Sequence, residues 1–160
     1  MKSLLLVIDM QKSFINENTN HLINNINNLV TSNEYDDVVF TKFINSLDSI
    51  WYSKLNYNGC MSEEDKRLVI DSHDKTIIEK KIYSSCNEEL INYIKNNNIS
   101  KIYLCGIDTE CCVLKTAFDL FENGYDVYVL SDYCGCMYGE SRHNNALEIM
   151  KRNIGVNNII

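Results

Sequence analysis

The chain has 160 residues, 45% of them hydrophobic and 23% charged, and a formal net charge of −7. That length suits a single domain, 1–160, with a sizeable buried core. The acidic balance and the lack of any basic run argue against a nucleic-acid partner, which requires clustered Lys and Arg. No apolar stretch reaches the ~18–20 residues of a membrane span, and the opening apolar run breaks at Asp9, too soon for the core of a secretory signal. A cytoplasmic protein without membrane attachment is expected.

In chain order, Leu4-Leu5-Leu6-Val7-Ile8 has the unbroken apolar character of a parallel strand covered on both faces. Leu22, Ile23, Ile26, Leu29 and Val30 then recur at helical spacing, predicting an amphipathic helix over about 21–31. Val38 to Thr41 predicts a second strand, whereas 45–60, with the only Trp at position 51, shows no clear period. Thr76 to Ile78 predicts a third strand, followed by a helix with Leu90, Ile91 and Ile94 inside. Ile102 to Cys105 predicts a fourth, leading through Gly106 into a helix that carries Val113, Leu114, Ala117, Phe118 and Phe121. Val127 to Leu130 predicts a fifth, followed by a helix with Ala146, Leu147, Ile149 and Met150, and Val156 to Ile160 a sixth. Strands alternating with helices imply βαβ units, hence an α/β fold. The expected form is a three-layer α/β/α domain, with a doubly wound, mostly parallel, six-stranded sheet.

Seven cysteines are an odd number and contain no C-x-x-C pair, which argues against a disulfide scaffold and a thiol redox motif. Cys134-Gly135-Cys136 lacks a second pair at zinc spacing. Most of these thiols read as reduced core filling. No G-x-G-x-x-G follows the first strand, so a dinucleotide-binding domain is excluded on that signature.

In a doubly wound sheet, ligands bind beyond the carboxyl ends of the strands. Asp9 closes the first strand, where an uncompensated charge is costly; it reads either as a cap of the next loop or as a functional carboxylate. The fourth strand ends in Gly106-Ile107-Asp108-Thr109-Glu110-Cys111-Cys112-Val113. Thr109 is a good N-cap, which places Cys112 in the first helical turn. There the helix dipole favours a thiolate with a lowered pKa, and free N–H groups suit an oxyanion. Cys111, ~100° around the helix, is expected to pack instead. Beyond the third strand lie Lys80 and Lys81, a pair that on its own reads as solvated surface.

Together these segments resemble the isochorismatase-like cysteine hydrolases, the family that includes nicotinamidases and N-carbamoylsarcosine amidase. Leu6-Val7-Ile8-Asp9-Met10-Gln11-Lys12-Ser13-Phe14 resembles the family's apolar strand followed by D-x-Q-x-x-F. Lys80-Lys81-Ile82-Tyr83-Ser84-Ser85 resembles K-x-x-Y-S-A-F, with Lys80 the better match, Lys81 the reserve, and Cys86 in place of the Phe. Gly106 to Val113 matches G-V-x-T-x-x-C-V, and Gly124-Tyr125-Asp126-Val127 with Ser131-Asp132 matches a later segment.

The resemblance implies Cys112 as nucleophile, Asp9 as general base and Lys80 as the group that keeps Asp9 ionised. It also implies an oxyanion hole made by the N–H groups of Cys112 and Asp108, the latter aimed by a cis peptide at Ile107–Asp108. Gln11, Phe14, Trp51 and Tyr83 are the candidate pocket residues, Trp51 reading equally as a ring packed over the sheet edge. Asp108 suits recognition of a cationic or hydrogen-bond-donating substrate, unless its side chain points away.

Nicotinamidases of this family hold a metal through an Asp and two His, beginning with D-x-H after the second strand. Here that stretch is Thr41-Lys42-Phe43-Ile44-Asn45-Ser46-Leu47-Asp48, and the three histidines are His21, His73 and His143. No metal and no cofactor are therefore expected. The reading is a hydrolase of a C–N bond (amide, ureido or carbamoyl) in a small molecule, forming a thioester at Cys112 and assembled, like its relatives, as a homo-oligomer. The alternatives are an inactive binding or scaffold protein on the same fold and a nicotinamidase with an atypical metal-free site.

Overall fold

The computed structural model describes residues 2–160. Five strands, β1 (Lys2–Ile8), β2 (Asp37–Phe43), β3 (Thr76–Lys80), β4 (Ile99–Ile107) and β5 (Asp126–Gly135), form one sheet in the order β3-β2-β1-β4-β5. Every pairing is parallel. The helices are α1 (Leu22–Thr31), α2 (Ile50–Leu55), α3 (Glu63–Lys66), α4 (Glu88–Asn96), α5 (Leu114–Glu122) and α6 (Glu140–Ile154). A π-helical turn, Thr109–Val113, leads into α5.

The two-residue period of a strand sorts the apolar run of β1 between two cores. Leu4, Leu6 and Ile8 pack with Leu90 and Ile94 of α4, Ala117 and Leu120 of α5, and Leu147 and Met150 of α6. Leu5 and Val7 pack with Leu22, Ile26 and Leu29 of α1 and with Phe40 of β2. Burying both faces makes β1 the centre of a three-layer α/β/α domain, each such side chain contributing ~1.5–3 kcal/mol. No helix among the described residues is long and apolar enough to cross a membrane.

The expected sixth strand is not formed. Gly155, with φ of 105°, turns the chain, and Val156–Asn158 close into a 3₁₀ turn. What remains is a single bridge between Ile159 and Val129. Ile160 donates its N–H to Val129 O at 2.9 Å and accepts from Ser131 N at 2.7 Å. Two residues are too few for a ladder.

Strand order reverses between β1 and β4, so the crevice beyond their carboxyl ends is the switch point of the sheet. Ile8 and Gly106 lie side by side there. Gly106 has φ of +122°, and a Cβ on it would fall 2.0 Å from the carbonyl oxygen of Ile8. Only glycine allows both the backbone angle and the approach. Gly106→Ala is expected to lose most of its cooperative urea unfolding transition; an unchanged midpoint would contradict the close approach.

Candidate active site

Asp9 leaves β1 with a left-handed φ of 49°, which Asp tolerates better than most residues. This turns its side chain under the sheet's end. Thr41 of β2 donates its hydroxyl to Asp9 Oδ1 at 2.7 Å and accepts from Asp9 N at 3.3 Å. Lys80 is the last residue of β3, and its Nζ lies 2.6 Å from Asp9 Oδ2, with both side chains almost wholly buried. The same ammonium meets the carbonyls of Ile82 at 3.0 Å and Tyr83 at 2.9 Å, and Cys112 Sγ at 3.4 Å. An ammonium has three protons for these four acceptors. Asp9 Oδ2 thus has an opposite charge beside it but no well-aligned donor of its own.

Burial alone would lower the Lys80 pKa, but Asp9 and Cys112 outweigh it and hold the ammonium above its ordinary value. Lys81 is exposed and turned away, its carbonyl accepting the Trp51 indole N–H at 3.0 Å. Of the two lysines, Lys80 is the one that meets Asp9 and Cys112. Burial first, then the Asp9 carboxylate, push the Cys112 thiol well above the usual range, against the lowering effect of Lys80. The expectation of a depressed pKa, drawn from helix position alone, is corrected by this surrounding.

The local helix also differs from expectation. Asp108, not Thr109, takes the N-cap position, without a side-chain cap, and the Thr109 hydroxyl pairs with His143 Nδ1 at 2.8 Å. Asp108 O accepts from Cys111 N at 3.1 Å and Val113 N at 3.2 Å, passing over Cys112 N. The peptide Ile107–Asp108 is cis. A π turn is wider than an α turn, so successive residues diverge less. Cys111, expected in the packing, lines the same cavity as Cys112.

That cavity has a volume of about 260 Å³ and is walled by Phe14, Phe43, Trp51, Tyr57, Tyr83 and Tyr138, with Asp108, Cys111 and Cys112 also exposed to it. Trp51 meets Tyr83 with ring centroids 4.3 Å apart and Phe43 edge-on at 5.9 Å. The 45–60 segment thus supplies a wall through α2, whose N-cap Ser49 accepts from Tyr52 N. Phe14, Trp51 and Tyr83 are in the lining of this cavity. Gln11 is not: it is fully buried, accepting from Phe43 N at 2.7 Å and donating to Phe43 O at 3.0 Å and Lys66 O at 3.1 Å. It ties the exit of β1 to the end of β2. Sequence reasoning missed Thr41, whose signal was a hydroxyl inside an apolar strand, and Phe43, Tyr57 and Tyr138, which carried none.

The residues after β2 do not fit the metal that the family resemblance raises. Asn45 donates its amide to Tyr57 O and Gly59 O and accepts from Ser46 N and Ser49 Oγ, so its side chain is committed to the loop. Asp48 is taken by Ser46 Oγ. His21 precedes α1, His73 lies in a loop before β3 and His143 lies within α6. Asp108, Glu110 and Cys136 bring three ligand-type atoms within 4.8 Å of one another. The Cys136 thiol already donates to Glu110 Oε1 at 2.7 Å and is pushed up to about 12 by burial and that carboxylate, so it offers no ready thiolate ligand.

The architecture is that of the isochorismatase-like hydrolases. One of these, from Alkaliphilus metalliredigens, superposes with a TM-score of 0.85 at 22% identity over 96% of this chain and 92% of that one. A pyrazinamidase of Pyrococcus horikoshii in complex with zinc gives 0.84 at 24% identity over 99% and 97%. Sequence goes further than fold. The isochorismatase domain model matches residues 3–157. Isochorismatase family protein 1A of Dictyostelium discoideum is 31% identical over 159 residues, 94% of this chain and 70% of that longer relative. The chain belongs to the isochorismatase family.

Asp108 gives this site a pH signature. Burial, opposed by the Met137 N–H at 2.8 Å and reinforced by Glu110 and Asp9, pushes its carboxyl up to about 7 from 3.8. A raised folded pKa contributes stability at low pH that is lost as pH rises through about 4 to 7. Asp108→Asn should therefore match the wild-type melting temperature near pH 4 and exceed it by a few degrees at pH 8. A constant difference across that range would refute the raised pKa.

Proposed function

We propose that this protein is a cysteine hydrolase that cleaves the C–N bond of a small amide, ureido or carbamoyl compound through a thioester at Cys112. The observation that carries the reading is the buried triangle: Lys80 Nζ stands 3.4 Å from Cys112 Sγ and 2.6 Å from Asp9 Oδ2, beneath a cavity lined by the sulfur. A buried thiol needs a base when its substrate arrives, and Asp9 Oδ2 is the acceptor without a donor of its own.

In this mechanism Asp9 takes the Cys112 proton as Sγ bonds to the carbonyl carbon. The N–H groups of Cys112 and Asp108 receive the oxyanion; the support is that Asp108 O passes over Cys112 N in the π turn. Collapse breaks the C–N bond, and the leaving amine takes the proton from Asp9. Water then gives a proton to Asp9 and its oxygen to the acyl carbon, and Cys112 departs and recovers its proton. Lys80 remains an ammonium throughout, pairing with Asp9 and offsetting the charge that forms on sulfur. No step passes through a metal or cofactor.

The test is ammonia release from a panel of primary amides, ureas and carbamoyl compounds. Cys112→Ala should abolish it, and Asp9→Asn should reduce it by at least ~10²–10⁴-fold. Asparagine keeps the left-handed backbone of Asp9 but leaves Lys80 unpaired, so a further loss of ~3–5 kcal/mol in stability is expected, and assays belong at low temperature with folding checked by circular dichroism. Full turnover by folded Cys112→Ala would end the proposal. Limiting iodoacetamide should leave Cys112 almost unlabelled at pH 6 and label it above pH 9. Rapid labelling at pH 6 would reveal a resting thiolate and remove the need for Asp9 as base.

A further inference from the structure

We infer that the cavity selects a substrate bearing a positive charge, with the Asp108 carboxylate as its counter-ion and the aromatic wall as its cradle. This rests on the hydrolase reading above and names the substrate class. Asp108 Oδ1 accepts from Met137 N at 2.8 Å, while Oδ2 has no protein donor among the described residues, and the residue lines the cavity beside Cys112. None of the lining residues is a lysine or arginine. Lys80 lies behind the sulfur and is paired with Asp9. Arg142, a nearby guanidinium, sits over the Tyr138 ring at 4.7 Å and makes no ion pair with Asp108.

The imbalance extends one residue further. Glu110 accepts from Cys136 through Oε1, but its Oε2 is buried without a partner. Asp108 thus lines the cavity without an ion-pair partner of its own, with Glu110 beside it but outside the lining, and an enclosed carboxylate of that kind is costly unless something compensates it. Phe43, Trp51, Tyr57, Tyr83 and Tyr138 present ring faces and edges to the same space. Aromatic faces attract a desolvated cation, so wall and carboxylate select the same ligand chemistry. Neither a neutral nor an anionic amide would make use of both.

The titratable and charged groups around Asp108 are Asp9, Glu110, Cys111 and Tyr57, with Cys112 lining the same cavity, Cys136 in the cluster and the Arg142 guanidinium acting on Cys111. Burial keeps the Cys111 thiol neutral up to about 11. Cation binding should therefore strengthen as pH rises through about 7, where the Asp108 carboxyl ionises.

The experiment uses two isosteric primary amides, (trimethylammonio)acetamide and its neutral carbon analogue 3,3-dimethylbutanamide. Binding is followed through Trp51 fluorescence in Cys112→Ala protein, so that the outcome does not depend on turnover. The cationic amide should bind at least tenfold more tightly at pH 8, and Asp108→Asn on the same background should erase the difference. Equal affinities, a preference that survives Asp108→Asn, or no binding of either compound would overturn the inference, and the first and last need no Asp108 variant. Ammonia release by the wild-type protein is measured separately. Selective binding without release would reject the hydrolase reading and leave charge selection standing, whereas release without selectivity would do the reverse.

Discussion

Bringing a lysine and an aspartate together out of water costs several kcal/mol per ion before their attraction offsets any of it. Here both are almost fully enclosed, so the surrounding chain has to supply polar partners from several directions. Thr41 meets one carboxylate oxygen, and the carbonyls of Ile82 and Tyr83 meet the ammonium. These partners come from β1, β2 and the segment after β3, so the pair holds three strand ends in one arrangement. Gln11 does related work two residues from Asp9, binding both backbone groups of Phe43. Loosening either feature would free the β2 exit that carries Phe43 and the Trp51 wall.

The charges around the cavity divide into two unlike sets. On the Lys80 side, each charge has an opposite partner, and burial pushes the thiol beside them upward. On the Asp108 side, neither Asp108 nor Glu110 makes an ion pair among the described residues. The first set is paired within the protein. Under the proposed function, reactivity would belong to the first set and choice of substrate to the second. The join between them is Ile107–Asp108, at the end of β4.

What the sequence made legible was whatever follows from strand period and from residues next to strand ends. The apolar run of β1 read directly as a doubly covered strand, and Asp9, Lys80 and Cys112 fall in segments whose spacing carried a family resemblance. Less legible was whatever depends on how a loop closes. Gln11 sits in a motif beside Asp9, yet its direction is set by backbone groups of β2 that are distant in sequence. Cys111 was misread because one π turn replaces an α turn and changes the phase of a single residue. The aromatic wall has no period, since Trp51 and Tyr57 face the cavity only once Asn45 has gathered the loop between them. Val156 to Ile160 has strand-like composition, but a glycine with a positive φ reduces it to one bridge.

That bridge bears on how the molecule behaves beside its own copies. β5 forms an outer margin of the sheet, and a margin of this kind carries open N–H and C=O groups on which another chain can build. Ile159 and Ile160 lie along the middle of it, taking the Val129 carbonyl and the Ser131 N–H. At the opposite margin β3 is only five residues long and exposes Glu79. One side is covered by a short latch and the other is blunted by brevity and charge. Growth of the sheet by strand addition, the first step toward aggregation in many α/β proteins, is therefore opposed at both margins. Loss of the Ile159 and Ile160 contacts would leave Cys112 and its neighbours untouched while uncovering the middle of β5 for strand addition.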